Sequence, residues 1–279
     1  MAKALDKNED KNELVAQQEA GLLDLSQLDD VDIEFTGLEE IGQGDIKLGK
    51  WKLLKPTSAE VTKDIPPGSF YNTVTKEVRE ELIVTVLKTG KSRVMFPEKY
   101  RKGDKAICRS VDFIRKTEGL ADAGPICENC KYSKWEEGEK SRCSIVYYFI
   151  GLDDTDTPFR IQFRGASVPP VKDFLSQVYM TLKKANKGIF SFKIKITADY
   201  KSDDKGNYYI AVPSPAKNEE GKLIVPSKEQ YINYAETAKF LSEFYASHLK
   251  DSDNFADEYS EAVDVEATDV TDGENSALY

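Results

Sequence analysis

The chain has 279 residues with 39 Lys/Arg against 49 Asp/Glu, a formal net charge of −10 that is unevenly spread. Residues 1–45 carry 13 Asp/Glu and 3 Lys, and residues 251–279 carry 10 Asp/Glu and no Lys or Arg, which leaves +10 on residues 46–250. No apolar run approaches the ~20 residues of a membrane helix, and no basic stretch followed by an apolar one opens the chain, so neither a helical membrane protein nor an exported one is expected. The expected compartment is the cytoplasm, or the host cytoplasm for a phage-encoded chain.

Two acidic arms flanking a basic body make a polyanion the first partner to consider, with arms able to imitate or displace it. The N-terminal arm, residues 1–45, has a weak apolar rhythm (Leu14, Leu22, Leu23, Leu25, Leu28) and reads as mobile. From Lys50 the texture changes. Glu80 to Leu87 is a β-branched run, Thr89-Gly90 interrupts it, and Lys91 to Phe96 resumes an extended pattern, which predicts a hairpin. Gly90-Lys91-Ser92 resembles the end of a phosphate loop, but Thr85 stands where the leading glycine belongs and no helix is predicted to follow.

Residues 101–143 contain all four cysteines and little apolar content, as suits an insertion held by metal. Ser144 to Ile150 and Pro158 to Arg164 read as strands joined by the turn Asp153-Asp154-Thr155-Asp156. In the second, Phe159, Ile161 and Phe163 alternate with Arg160, Gln162 and Arg164, so one apolar and one basic face are expected. Ser167 with Pro169 and Pro170 opens a helix whose apolar side runs through Val171, Phe174, Leu175, Val178, Tyr179 and Leu182, with Gly188 closing it. Phe190 to Ile196 and Tyr208 to Val212 form a second predicted hairpin with lysines outward. Ser227 and Gln230 form a capping box for a last helix from 228 to about 249.

The expected class is mainly β with α. Five strand units with a helix between the third and fourth predict an oligonucleotide-binding (OB) barrel over residues 46–250, with a zinc insertion and a C-terminal helix. A generic α+β sheet is the alternative.

Cys127-Glu128-Asn129-Cys130 is a C-x-x-C knuckle, with Cys108 at 19 positions before it and Cys143 at 13 after. Zinc takes four thiolates tetrahedrally, so Cys108, Cys127, Cys130 and Cys143 are the expected ligands of one structural Zn²⁺ per chain, with no position left for a catalytic water. A nucleobase deaminase does not fit, since Ile126 separates Pro125 from Cys127 and Ser110 stands where that chemistry needs a glutamate. The single histidine, His248, lies near a predicted helix C-terminus, where a cation is favoured without any catalytic role. The aspartates at 153, 154, 156, 203 and 204 lie in predicted turns. No enzyme is expected.

Lys88, Lys91, Arg93, Lys99, Arg101, Lys102, Lys105 and Arg109 are interleaved with Phe96 and Tyr100, and Arg160, Arg164, Lys193 and Lys195 extend the stripe across neighbouring strands. Basic side chains release counterions from phosphates and aromatic faces stack on unpaired bases. The alternative is a solvated face over core aromatics.

In these respects residues 50–279 resemble the phage-type single-stranded DNA-binding proteins. That family pairs an OB barrel with an acidic C-terminal arm recruiting replication proteins, and one branch inserts a zinc subdomain. The branch uses a histidine among its zinc ligands, where this chain has only cysteines. The resemblance implies sequence-nonspecific binding of single-stranded DNA, with RNA left open, in replication or recombination. It implies a disordered tail, 251–279, whose terminal Leu278-Tyr279 meets a partner protein. A zinc-containing transcription accessory factor that binds nucleic acid and polymerase is the second reading, and a metal-dependent nuclease using the turn aspartates a third.

Overall fold

The computed structural model describes residues 48–98, 106–134, 141–203 and 206–248. Ten strands and two α-helices follow in the order β1 (Gly49–Leu53), β2 (Phe70–Asn72), β3 (Val78–Arg79), β4 (Glu81–Met95), β5 (Cys108–Ser110), β6 (Glu118–Gly119), β7 (Ser144–Leu152), β8 (Pro158–Phe163), α1 (Val168–Ala185), β9 (Ile194–Asp203), β10 (Gly206–Pro215) and α2 (Lys228–His248). The strands make a curled mixed sheet in the order β10-β9-β4-β7-β8-β1-β2-β3, with β5 on β4 and β6 on β5. The chain is thus a β-rich α+β fold. Among the described strands only β1 and β8 pair in parallel, with Trp51 opposite Ile161.

Where a hairpin is predicted around Gly90, β4 runs on as a single strand. Its first residues, Glu81 to Val84, pair with β9, and Thr85 to Val94 pair with β7 across an irregularity between Val86 and Lys88. A bulge adds twist and bends a strand, which lets β4 serve both arms of the curl. Glycine stands at position 90 for room rather than for a turn: a Cβ there would lie 2.1 Å from the Tyr148 ring. Gly151 answers the same need at the bend, since its Cβ would meet the Thr85 carbonyl oxygen at 2.0 Å.

The main core lies on the concave face, where Leu82, Val84, Phe149, Phe159, Ile161, Phe163, Ile194 and Ile196 pack against Val171 and Phe174 of α1. Each such side chain contributes roughly 1.5–3 kcal/mol on leaving water. Tyr234 and Leu241 of α2 cover the other face over Leu87, Tyr148, Ile150 and Leu152. Hence β7 is buried without alternation from Val146 to Leu152, as expected of a strand covered on both sides.

Both helices are where the sequence predicts them. The capping box forms reciprocally, Gln230 N–H donating to Ser227 Oγ at 3.1 Å and Ser227 N–H to Gln230 Oε1 at 3.0 Å. At the end of α1 the left-handed residue is Asn186 (φ 49°) instead of Gly188. Gly188 instead makes room for the Phe190 ring, 2.5 Å from where its Cβ would stand. Tyr179 is 58% exposed and stands off the apolar side assigned to it. The turn after β7 is a local hydrogen-bonded structure: Asp153 Oδ1 accepts from Thr155 N–H, Thr155 Oγ1 and Thr157 N–H at 2.7–3.0 Å.

Candidate functional site

The excursion between β4 and β7 sets the four cysteines around one pocket from three directions. Cys108 sits on β5, opposite Met95 of β4 on one side and Gly119 of β6 on the other. Gly119 has φ +141°, and a Cβ there would lie 2.6 Å from both Cα and Sγ of Cys108, so only glycine lets β6 pass this close. Cys127 and Cys130 flank a 3-10 turn in which Cys130 N–H donates to the Cys127 carbonyl at 3.2 Å. Ser133 Oγ donates to the carbonyls of Cys127 (2.6 Å) and Cys130 (2.9 Å), fixing the knuckle. Cys143 N–H donates to the Tyr132 carbonyl at 3.0 Å, which anchors the fourth cysteine to the same turn.

All four thiols are free and line one small pocket with Arg93, Lys116 and Ser133. Burial pushes the Cys143 thiol up to about 11; the Arg93 charge opposes this, and the other three cysteines add to it. Burial likewise raises Cys108, with Cys127 and Cys130 contributing. Among the described residues, no three metal-ligating side chains close on a single point.

The predicted basic residues divide. Lys91 Nζ stands 5.5 Å from the Phe113 ring centre and 5.2 Å from that of Tyr147, while the Arg93 guanidinium lies 4.2 Å from Phe113. Lys88 is half-buried on the same strand. Phe96 packs against Val94 and Val146 and so belongs to a small core. Arg109 and Arg160, expected on an open basic face, are only 6% and 3% exposed. Along β8 the apolar side, Phe159, Ile161 and Phe163, is buried, but the second face is covered too, and Arg160 lies 5.0 Å from the Tyr148 ring centre there. Arg164 donates to Gln162 and is half-buried. Lys193 and Lys195 lie half-buried on or just before β9, and Lys195 Nζ pairs with Glu81 at 2.5 Å. Lys99, Tyr100, Arg101, Lys102, Lys105, Leu278 and Tyr279 lie outside the described residues, as do both acidic arms.

Three residues that the sequence reading passed over stand out in the structure. Lys55 follows β1 and is drawn down to about 8 by burial and, secondarily, by the Arg164 charge. Tyr200 and Tyr209 face each other across β9 and β10 with ring centres 5.4 Å apart. The tyrosine pair was findable, since a turn pairing Asp203 with Gly206 sets Tyr200 opposite Tyr209. Lys55 left no such signal.

The fold and these residues define a β-rich α+β protein with a cysteine-lined pocket at the root of a long excursion. Among the described residues no helix is long and apolar enough to cross a membrane. The chain belongs to the family described as Pam3 phage gp34-like protein, whose model matches residues 17–247. No curated protein and no solved structure matches it.

Proposed function

We propose that the protein is a non-catalytic, sequence-nonspecific single-stranded DNA-binding protein of phage replication or recombination, built on an OB-like barrel with a structural zinc insertion. The carrying observation is topological. The strands β10-β9-β4-β7-β8 lie side by side in that order, and α1 falls between β8 and β9. This order supports reading these as five OB-like strands with a helix between the third and fourth. In this chain β1 takes the parallel place beside β8, and β2 and β3 extend the sheet.

The pocket suits zinc by its donors. Cysteines from the knuckle, from β5 and from just before β7 line it, and Arg93 and Lys116 beside them supply positive charge that would offset four thiolates. A metal bound there by Cys108, Cys127, Cys130 and Cys143 is structural and holds the excursion together. Lys91 and Arg93, two positions apart on one face of β4, are the described part of the nucleic-acid surface; Lys88, opposite Ile150, points to the other face of the strand. Lys99, Tyr100, Arg101, Lys102 and Lys105 continue it in sequence, and the acidic tail ending in Leu278-Tyr279 recruits a replication protein.

The test is a titration of fluorescent single-stranded and duplex oligonucleotides at two salt concentrations. Tight, sequence-indifferent, salt-weakened binding of the single strand is expected. Preference for duplex, or capture of polymerase without single-strand binding, favours a transcription accessory factor instead.

A further inference from the structure

The β5–β6 hairpin carries near its tip a residue that its backbone disfavours. Phe113 has φ +69°, the left-handed region where a bulky side chain is crowded and glycine or asparagine is the usual occupant. A local turn imposes it: Asp112 Oδ1 accepts from the N–H groups of Ile114 (2.8 Å) and Arg115 (2.7 Å) and from Ser110 Oγ (3.1 Å). On the other side the hairpin is tied to the cysteine knuckle. Cys127 N–H donates to the Ile114 carbonyl at 2.8 Å, and Lys116 N–H to the Pro125 carbonyl at 2.9 Å. The backbone at Phe113 is thus fixed before and after it.

Core packing does not account for an aromatic ring at this position. Phe113 belongs to none of the three hydrophobic clusters among the described residues, is only half-buried, and precedes Ile114, which is 59% exposed. What its ring does meet is charge, the Arg93 guanidinium at 4.2 Å from its centre and Lys91 Nζ at 5.5 Å. Both cations come from one face of β4, where Arg93 lies opposite Ser110 of β5 and Lys91 opposite Tyr147 of β7. An aromatic ring beside two cations presents a stacking face and a phosphate contact together, and neither depends on which base is bound. A strained backbone kept for a ring outside the core is what a binding role requires and folding does not.

We propose that Phe113 is a stacking platform for one base of a single strand, with Lys91 and Arg93 beside it taking the adjoining backbone phosphate. It rests on the single-strand reading and gives that surface its base contact.

The experiment uses full-length protein and fluorescent oligo(dT), with salt titrations of wild type, Phe113→Leu, Phe113→Tyr, Phe113→Gly and Lys91→Met. Phe113→Leu keeps an apolar side chain without a π-face and should weaken binding about 5- to 150-fold, the range for loss of one stacked base; Phe113→Tyr should retain it. Phe113→Gly should bind as weakly as Phe113→Leu with a urea midpoint no lower than wild type, because glycine takes φ +69° without strain. Lys91→Met should lower the slope of log K against log salt by about 0.7, the value for one phosphate contact on a single strand. An oligo(dT) carrying 5-iododeoxyuridine should photocrosslink to Phe113. If wild type binds the single strand but Phe113→Leu matches it, the Phe113→Gly midpoint falls, or the crosslink maps elsewhere, the platform is wrong and the single-strand reading stands. If wild type binds no oligonucleotide, or binds duplex equally well, both fall.

Discussion

Replacing Lys55 by Met removes a charge that the fold holds at a cost. The drop from 10.5 to about 8 arises mainly from burial and then from Arg164. At about 1.4 kcal/mol per tenfold, it corresponds to an upper limit of roughly 3–4 kcal/mol. Lys55 keeps some contact with solvent, so about 2 kcal/mol is expected after screening. Below pH 8 the amine is protonated in folded and unfolded chains alike, and the full cost is present. Between pH 8 and 10.5 only the unfolded chain holds the proton, so the cost fades as pH rises, and it is gone above 10.5. Methionine keeps the length of the apolar stem without the charge. Urea unfolding from pH 7 to 10.5 should therefore find Lys55→Met more stable than wild type by about 2 kcal/mol at pH 7, with the advantage shrinking toward zero at the alkaline end. The other titrating groups are common to both proteins and cancel in the difference. A variant less stable than wild type at pH 7, or a difference independent of pH, refutes the reasoning.

Purified protein should contain one zinc per chain by elemental analysis, and Cys127→Ser should lower that content and raise hydrogen exchange in residues 106–134 while sparing β7 to β9. Gly151→Ala should destabilise by at least the roughly 1–3 kcal/mol typical of overpacking, since the clash is with the Thr85 backbone and no side chain can turn away; chemical denaturation measures it. Ser227→Ala should cost about 1 kcal/mol by removing the cap of α2, with exchange rising first in the opening turn of that helix.

The elements visible in the sequence are those whose cause is local. The capping box at Ser227 and Gln230 marks α2 because both of its bonds span three residues. The turn at Asp153 is likewise written within five positions. Gly90 misled because glycine has two uses, a turn or a close approach, and which applies is decided by Tyr148 on another strand. The burial of Arg160 has the same origin: a period of two reveals the first face of β8, but α2, which covers the second cluster on the opposite face of the sheet, begins 68 residues later. The cysteine spacing announced a shared pocket because a C-x-x-C turn is itself local. Gly119, which lets Cys108 reach that pocket, gave no signal, since its constraint comes from β5. The strands β1 to β3 are short and owe their existence to partners, one of them β8 over a hundred residues away.

The neck of the excursion bears on how fast the molecule assembles. Val94 faces Ser144 while Met95 faces Cys108, so Cys108 and Cys143 stand on either side of the point where the chain leaves β4 and returns as β7. Zipping β4 to β7 unaided requires closing a loop of about 50 residues, an entropic cost of about 3 kcal/mol from the length-dependent part alone. The zinc proposed above, in tying Cys108 to Cys143, would leave only the dozen or so residues between β4 and Cys108 to be closed, and β4, which pairs with β5, β7 and β9, is the strand whose docking it would speed.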